Sequence, residues 1–276
     1  MIKDITMFYS KAALSMRRSE IRELLKFTRK PEIISFAGGL PGPESFPVKE
    51  IEDIACKILR EKGATALQYG PTEGETAFRE EIAKWLSRES TNHIKPENVL
   101  ITAGSQQGLD IIAKVFLDPN DIILLELPSY IGGLQAFSAY RAKMVGIPQD
   151  NEGMRVDLLE KKLGQFKSKG KKPKFIYVVP DFQNPSGVTM TLERRKKLLN
   201  LAYKYEIPIL EDSPYRDLRY VGKPIPPIYS LDTENQVMTL GTFSKILCPG
   251  LRLAWIMAPT EWMDRMVVAV IDTGVD

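Results

Sequence analysis

The chain of 276 residues contains one histidine and two cysteines, and this scarcity excludes several kinds of active site. His93 lies in the polar segment STNHIKPEN, so neither a Ser-His-Asp triad nor a metal site built on several histidines is expected. Cys56 and Cys248 form no C-x-x-C pair, so the sequence suggests neither a zinc site nor a disulfide framework. We therefore predict a protein without a metal centre, suited to a reducing cytoplasm.

Charge of one sign and long apolar runs are also scarce. Lysine and arginine total 38 against 35 acidic residues, and no basic block of the kind that binds nucleic acid is present. The densest basic run, KSKGKKPK at 167–174, is typical of a solvated helix end and loop. No apolar run approaches membrane-spanning length, and the N-terminus lacks the apolar core of a signal peptide. We expect a soluble, cytoplasmic protein that binds neither nucleic acid nor membrane.

What the chain does contain, from about residue 97, is an alternation of short apolar runs and longer segments with helical periodicity. Strands are predicted at 98–104, 121–126, 143–149, 174–180, 207–212, 237–243 and 251–258. Helices are predicted at 49–62, 74–88, 105–117, 155–166 and 192–206. This alternation indicates an α/β fold, a three-layer sandwich in which helices cover both faces of a mostly parallel sheet. The segment SFAGGLPGPESFP at 35–47 is too rich in glycine and proline for regular structure.

Polar residues and glycines follow five of the predicted strands. Ligands in such folds bind beyond the carboxyl ends of the strands. The residues are Gly104, Ser105 and Gln106, then Pro128, Ser129 and Tyr130, then Asn184, then Asp212 and Tyr215, and finally Ser244 and Lys245. The sequence therefore predicts a polar site at one edge of the sheet.

Each of these residues also has an ordinary structural explanation. Ser105 could cap a helix as readily as bind an anion at the helix N-terminus. Asp212, which ends a buried strand, could form a salt bridge or a helix cap. Asn184 before Pro185 is typical of a turn, and Lys245 could be a solvated loop residue or a Schiff-base nucleophile.

Taken together, the polar residues match the groups of a single ligand. They provide an anion site at a helix end, a carboxylate for a ring nitrogen, neutral donors for a ring oxygen and a lysine for an aldehyde. Pyridoxal 5'-phosphate carries all four of the corresponding groups. The sequence therefore predicts a site for this cofactor.

Seven motifs cover nearly the whole chain. They are ISFAGGLPGPESFP, LQYGPTEGETAFREEIAKWL, ITAGSQQGLDIIAKVF, ELPSYIGGLQAF, VVPDFQNPSGVTM, ILEDSPYRDLRY and LGTFSKILCPGLRLAW. In these motifs the chain resembles the fold type I, pyridoxal-phosphate-dependent aminotransferases of class I/II. Within that family it is similar to the 2-aminoadipate and kynurenine aminotransferases and to the catalytic domain of MocR-type regulators. The spacings of 28 residues from Asn184 to Asp212, 33 from Asp212 to Lys245 and seven from Lys245 to Arg252 match the family's.

This resemblance implies three catalytic residues. Lys245 would bond to the cofactor as a Schiff base and then move a proton between the substrate α-carbon and the cofactor. Asp212 would keep the pyridine nitrogen protonated, and Tyr215 would bind the phenolic oxygen together with Asn184.

The resemblance also implies further binding residues and a dimer. Tyr130 would stack on the cofactor ring. The phosphate would be held by Ser105, Gln106, Thr242 or Ser244, and Arg252. Tyr69 would reach the phosphate of a neighbouring subunit in a homodimer with shared sites. Gly38 and Gly39 would belong to a mobile loop that closes over the substrate. Asn184 would also contact the substrate.

The implied reaction moves an amino group from an L-amino acid to a 2-oxo acid, as part of amino-acid biosynthesis. Residues 1–46 would form an N-terminal arm and closing loop, and residues 47–276 an incomplete large domain. The small C-terminal domain, which supplies an arginine for the substrate carboxylate, would be missing. Alternatives are an inactive, truncated cofactor-binding fragment, a cofactor-sensing domain, and a lyase or decarboxylase with the same cofactor.

The C-terminal residues VVAVIDTGVD at 267–276 depart from the family pattern. They resemble the strand that carries the catalytic aspartate of subtilisin-type proteases, with Asp272 in that position. No histidine or serine motif follows, so a gene truncation, fusion or frameshift accounts better for this tail than a protease activity.

Overall fold

The computed structural model describes residues 4–15, 32–33, 39–90 and 93–271 of the chain. The chain divides into two compact units, Met1–Gln68 and Tyr69–Asp276. The functional division into an N-terminal arm (1–46) and a large domain (47–276) stays a prediction.

The described residues of the first unit include the helices α1 (Lys11–Ser15) and α2 (Val48–Ala66) and the single 3-10 turns Ile5–Phe8 and Pro43–Ser45. Helix α2 begins after Pro47 and is kinked at Lys62, whose backbone is not helical. It confirms and extends the predicted helix 49–62. Of the glycine- and proline-rich segment, residues 39–47 contain only the turn Pro43–Ser45, as their composition predicts.

The second unit contains a sheet of eight strands with the spatial order β1-β8-β7-β6-β5-β2-β3-β4. The strands are β1 (Val99–Thr102), β2 (Ile122–Leu127), β3 (Lys143–Asp150), β4 (Gly153–Met154), β5 (Ile176–Val178), β6 (Ile209–Asp212), β7 (Val237–Thr242) and β8 (Ala254–Met257). All seven predicted strands are confirmed, and the two-residue strand β4 was not predicted because so short a segment has no periodicity.

The five strands β3, β2, β5, β6 and β7 run parallel to one another. Strand β8 is antiparallel to both of its neighbours, β7 and β1, so β1 points the same way as the parallel set. Consequently the carboxyl ends of β1, β2, β3, β5, β6 and β7 lie at one edge of the sheet, together with the amino end of β8. This edge is called the carboxyl edge below.

Helices cover both faces of the sheet, which confirms the predicted three-layer sandwich. They are α3 (Thr76–Ser87), α4 (Ser105–Phe116), α5 (Ile131–Ala139), α6 (Val156–Ser168), α7 (Leu192–Tyr205), α8 (Ile228–Leu231) and α9 (Thr260–Ile271). None of the helices in the described part of the chain is both long and apolar enough to cross a membrane.

The alternation of side chains along the strands builds two separate cores. Leu124, Ile176 and Ile209 project into the core that also contains side chains of α3, α6 and α7. Their strand neighbours project to the opposite face, where the core includes side chains of α4, α5 and α9. Because both faces are covered, the central strands are apolar without polar alternation, which is why the sequence predicted a buried sheet.

The structure corrects the interpretation of the tail. Residues 267–271 belong to helix α9 rather than to a strand. Met263, Met266 and Val270 are buried at helical spacing, so packing of one face against the sheet explains the apolar residues there. Asp272 lies outside the described residues.

Helix α7 carries a buried cation into the core. Its N-cap, Thr191, accepts a hydrogen bond from the backbone N–H of Arg194, and the next residue, Arg195, is fully buried. The Arg195 guanidinium lies 2.9 Å from Asp181 and also donates to the carbonyls of Met190 and Pro180. Arg195 therefore ties helix α7 to the segment that follows β5.

Replacing Arg195 by methionine should lower the free energy of unfolding by about 3–5 kcal/mol, because Asp181 would lose its buried partner. Denaturant unfolding measures the change. Lys197→Ala on the same helix is the matched control, since its ion pair with Glu193 is solvated and contributes little. A loss below about 1 kcal/mol in Arg195→Met would show that Arg219, 3.2 Å from the same Asp181 oxygen, is a sufficient partner.

Candidate active site

Asp212 is the central residue of the carboxyl edge. It ends β6 with only 3% of its surface exposed. One carboxylate oxygen accepts a hydrogen bond of 2.8 Å from the hydroxyl of Tyr177, and the other oxygen is buried with no partner among the described residues. Burial raises the pKa of Asp212 to about 6, although the Tyr177 bond opposes the shift. Within the described ranges Asp212 forms neither the salt bridge nor the helix cap considered from sequence, and the open oxygen suits a positively charged ligand group.

Tyr177 was not identified from the sequence as a site residue. It lies in β5, fully buried, on the same face of the sheet as Asp212. A buried tyrosine needs a partner for its hydroxyl, so a lone tyrosine in the otherwise apolar run KFIYVVP was a usable signal. What the sequence could not supply was the identity of that partner on the neighbouring strand.

Lys245 lies three residues after the end of β7, in a turn at the same edge. The residue is partly buried, and this burial lowers the pKa of its ammonium group. A lowered pKa increases the fraction of neutral amine, which is the form that attacks an aldehyde. The structure therefore does not support the alternative of a fully solvated loop lysine.

Asn184 and Tyr215 form a pair across two strand ends. The Asn184 amide donates to the Tyr215 hydroxyl oxygen at 3.1 Å. Burial raises the pKa of Tyr215, and the nearby charge of Asp212 adds to the shift, while the Asn184 bond opposes it. Tyr215 thus keeps its proton at neutral pH and can donate it to an acceptor in the site.

Arg252 lies against the start of helix α4. Its guanidinium donates to the Ala103 carbonyl at 3.2 Å and to the Pro249 carbonyl at 3.3 Å. A side chain at Gly104, where φ is +89°, would come within 2.1 Å of the guanidinium, so glycine is required there. Arg252 and the N-terminus of α4 together place positive charge and free N–H groups at one spot, as an anion site requires.

The other predicted phosphate ligands lie around this spot. Gly104, not Ser105, is the N-cap of α4, so the capping role considered for Ser105 is not observed. The Gln106 side chain donates to the Gly132 carbonyl at 3.0 Å. Thr242 and Ser244 hydrogen-bond to each other through their hydroxyls at 3.0 Å.

Tyr130 completes the group at the carboxyl edge. It precedes α5, and its pKa is raised by burial and by interaction with Asp212 and Tyr215, whereas Arg252 opposes the shift. Tyr130 packs against the core on the same face of the sheet as Tyr177. A side chain at Gly132 would collide with its ring, so this glycine makes room for the tyrosine.

Two groups of predicted residues are not part of this arrangement as described. Tyr69 begins the second unit and is 82% exposed. Gly39 belongs to the first unit, and Gly38 lies outside the described residues. The roles assigned to these three residues stay predictions.

The residues present fit pyridoxal phosphate. A buried carboxylate with one oxygen open suits a protonated ring nitrogen, and a guanidinium beside a helix N-terminus suits a phosphate. Within the described ranges, no three His, Cys, Asp or Glu side chains lie together as metal ligands would.

Comparison with known proteins identifies the family of the chain. The family Aminotransferase class I and II matches residues 37–272. Aromatic-amino-acid aminotransferase 1 of Thermococcus litoralis is 48% identical over 96% of this chain and 64% of its own length. The chain thus spans less than two thirds of that relative.

Two solved structures are similar over 99% of this chain and 67% of their own lengths. Pyrococcus horikoshii kynurenine aminotransferase, solved in complex with PMP, is 48% identical with a TM-score of 0.93. The α-aminoadipate aminotransferase of Thermus thermophilus, complexed with N-(5'-phosphopyridoxyl)-L-leucine, is 41% identical with a TM-score of 0.89. The family and these complexes support pyridoxal phosphate as the cofactor. By its sequence and its fold, the chain belongs to the class I and II aminotransferases.

Proposed function

We propose that the protein transfers an amino group from an L-amino acid to a 2-oxo acid with pyridoxal phosphate as cofactor. The observation that carries this proposal is the buried, unpartnered oxygen of Asp212 at the same sheet edge as the partly buried amine of Lys245. When bound, the cofactor supplies an electron sink that makes the α-hydrogen of an amino acid acidic. The side chains of this chain bind, orient and move protons around that centre.

Lys245 is the proposed nucleophile and proton carrier. It would hold the cofactor through its Nζ, and as a free amine it would accept the proton from the substrate α-carbon and donate a proton back. Partial burial supports both roles, because it lowers the pKa of the amine.

Asp212 is the proposed partner of the ring nitrogen. Its open oxygen accepts the N–H there, while Tyr177 orients the carboxylate through the other oxygen. Since the positive nitrogen compensates the buried charge, Asp212 stays ionised and holds a proton on the ring.

Asn184, Tyr215 and Tyr130 orient the ring. Because Tyr215 accepts from Asn184, its own hydroxyl proton is available for the phenolic oxygen of the cofactor. Tyr130 is proposed to stack on the ring. The phosphate is proposed to bind at Arg252 and the start of α4, with Ser105, Gln106, Thr242 and Ser244.

The remaining roles follow the family resemblance. We propose residues 1–46 as an arm whose Gly38 and Gly39 close over substrate, residues 47–276 as the cofactor-binding domain, and a cytoplasmic homodimer in which Tyr69 reaches the neighbouring phosphate. The relatives' names include aromatic amino acids and kynurenine. We propose that the reaction belongs to amino-acid biosynthesis. The test incubates the protein with a panel of such amino acids and 2-oxoglutarate as acceptor, and measures formation of the new oxo acid.

Replacing Lys245 by alanine should abolish the visible absorbance band that pyridoxal phosphate gains on bonding to the chain, because no amine remains at the aldehyde. Borohydride followed by peptide mapping should place a pyridoxyl group on Lys245 in the unchanged chain. Lys197→Ala, a solvated lysine on α7, serves as the control. A band that survives in Lys245→Ala, or no band in the unchanged chain, would overturn the assignment.

Replacing Arg252 by glutamine should weaken pyridoxal phosphate binding about ten-fold or more, because a charge-assisted contact to the phosphate is lost. Pyridoxal, which lacks the phosphate, should bind both chains equally. Absorbance titration gives both dissociation constants, with the exposed Arg88→Gln as control. An equal loss for both ligands would show that Arg252 supports the fold of the site rather than the phosphate.

Replacing Asp212 by asparagine should have opposite effects on stability and binding. The folded pKa of about 6 lies above the ordinary 3.8, so burial of the charge destabilises the cofactor-free chain increasingly from pH 4 to pH 6 and constantly above that. Asparagine removes this cost, which is on the order of 3 kcal/mol. Unfolding at several pH values should show the gain above pH 6 and its disappearance towards pH 4.

When the cofactor is present, asparagine at position 212 should be a disadvantage rather than an advantage. Asp212→Asn should bind pyridoxal phosphate more weakly, because the ring nitrogen loses its charged partner. A variant that gains no stability at pH 7 would show that Asp212 is already compensated in the cofactor-free chain.

A further inference from the structure

Two glutamines join the loop that carries Tyr130 to the loop that carries Asn184. The Gln183 amide donates to the Pro128 carbonyl at 2.9 Å, and its oxygen accepts the backbone N–H of Ser186 at 2.8 Å. The Gln149 amide donates to the same carbonyl at 2.9 Å, and its oxygen accepts the Ser186 hydroxyl at 3.0 Å. Both side chains thus connect the same two residues, an arrangement called the double glutamine bridge below.

The orientation of the Gln183 amide is determined by its partners. A carbonyl can only accept and a backbone N–H can only donate, so the nitrogen must face Pro128 and the oxygen Ser186. Gln183 is 2% exposed, so water competes little for these bonds.

A buried carboxyl group lies near this bridge. Glu126, on β2, is 1% exposed and accepts the backbone N–H of Val179 at 2.9 Å. Burial raises the pKa of Glu126 to about 8, and the Val179 bond and the nearby Gln183 side chain oppose that shift.

The bridge joins two neighbouring strand ends. The two loops follow β2 and β5, which pair through Leu125 and Tyr177. Tyr130 comes two residues after Pro128, and Asn184 comes directly after Gln183. Beyond the ends of β2 and β5, the hydrogen bonds of the sheet no longer determine the distance between the two loops. The double glutamine bridge lies just beyond these strand ends.

We propose that Gln183 and Gln149 are positioning residues that hold the Tyr130 loop and the Asn184 loop at a fixed separation, and thereby set how tightly the site binds its cofactor. The first part concerns the cofactor-free chain, and only the second part rests on the proposed function. Neither glutamine contacts reacting atoms in this proposal. Each acts through the loop that it holds.

Hydrogen exchange of the cofactor-free, 276-residue chain tests the first part. Four variants are compared with the unchanged chain: Gln183→Ala, Gln149→Ala, the double variant, and Gln165→Ala on helix α6 as a matched control. The segments of interest are 127–133 in the Tyr130 loop and 182–190 in the Asn184 loop.

Either glutamine alone still joins Pro128 to Ser186. The amide hydrogens of the double variant should therefore exchange faster than the sum of the rate increases in the two single variants predicts. In the double variant we expect the exchange rate of segment 127–133 to rise about five-fold or more, the size expected for one lost hydrogen bond. Gln165→Ala should leave both segments unchanged. Faster exchange confined to 182–190 in the double variant would overturn the proposal, because Gln183 would then order only its own loop.

Gln149→Glu keeps the acceptor for the Ser186 hydroxyl but removes the donor to Pro128. It should therefore behave in segment 127–133 as Gln149→Ala does. Gln149 is only partly buried, so these variants should fold even if Gln183 variants do not. Identical exchange in segment 127–133 for the unchanged chain and both Gln149 variants would count against the bridge.

Absorbance titration with pyridoxal phosphate tests the second part. The double variant should bind at least about ten-fold more weakly than the unchanged chain, with Gln165→Ala unchanged. If the unchanged chain does not bind the cofactor, the proposed function fails and the exchange data still decide the bridge. Unaltered binding by a double variant that exchanges faster would overturn the positioning role.

Discussion

Asp212 ends β6 with one oxygen bonded to Tyr177 and the other buried without a partner among the residues that the structure describes, and the rest of the site depends on this carboxylate. A buried charge is tolerated only where its surroundings or a ligand compensate it. The Tyr177 bond compensates it in part, since burial still raises the pKa of Asp212 to about 6. The site is therefore adapted to a cationic group that the described part of the chain does not provide.

The direction of the strands determines which residues join Asp212. The carboxyl ends of six strands lie at one edge, and β8, which reverses direction between β7 and β1, begins there. That reversal brings Arg252, which precedes β8, to the start of helix α4, more than one hundred residues earlier in the chain. A parallel β8 would have placed Arg252 at the opposite edge, far from the anion site.

Hydrogen bonds between loops refine what the sheet only approximates. The Asn184–Tyr215 pair links the ends of β5 and β6, and the double glutamine bridge links those of β2 and β5. The ion pair of Arg195 and Asp181 ties the loop after β5 to helix α7. The segment that carries Asn184 is thus held on several sides, which suits a residue that must orient a ligand.

The sequence alone predicted the fold class and most of the residues that the structure places at the carboxyl edge. Apolar runs alternating with helical periodicity placed seven strands within a few residues of their observed bounds, because burial on both faces leaves no polar alternation. Residues after those runs, Lys245 and Asp212 among them, were identifiable because ligands bind at strand ends. The sequence did not reveal β4, whose two residues carry no pattern, or helix α5, whose glycines obscure its periodicity.

Only the tertiary structure decided which side chains became partners. The bonds from Tyr177 to Asp212 and from Gln183 to Pro128 join residues 35 and 55 positions apart. It also decided the helical state of residues 267–271, where an apolar run looked equally suited to a strand. The reason in each case is the same: local pattern records how each segment buries its apolar side chains, whereas polar partners depend on which strands lie side by side.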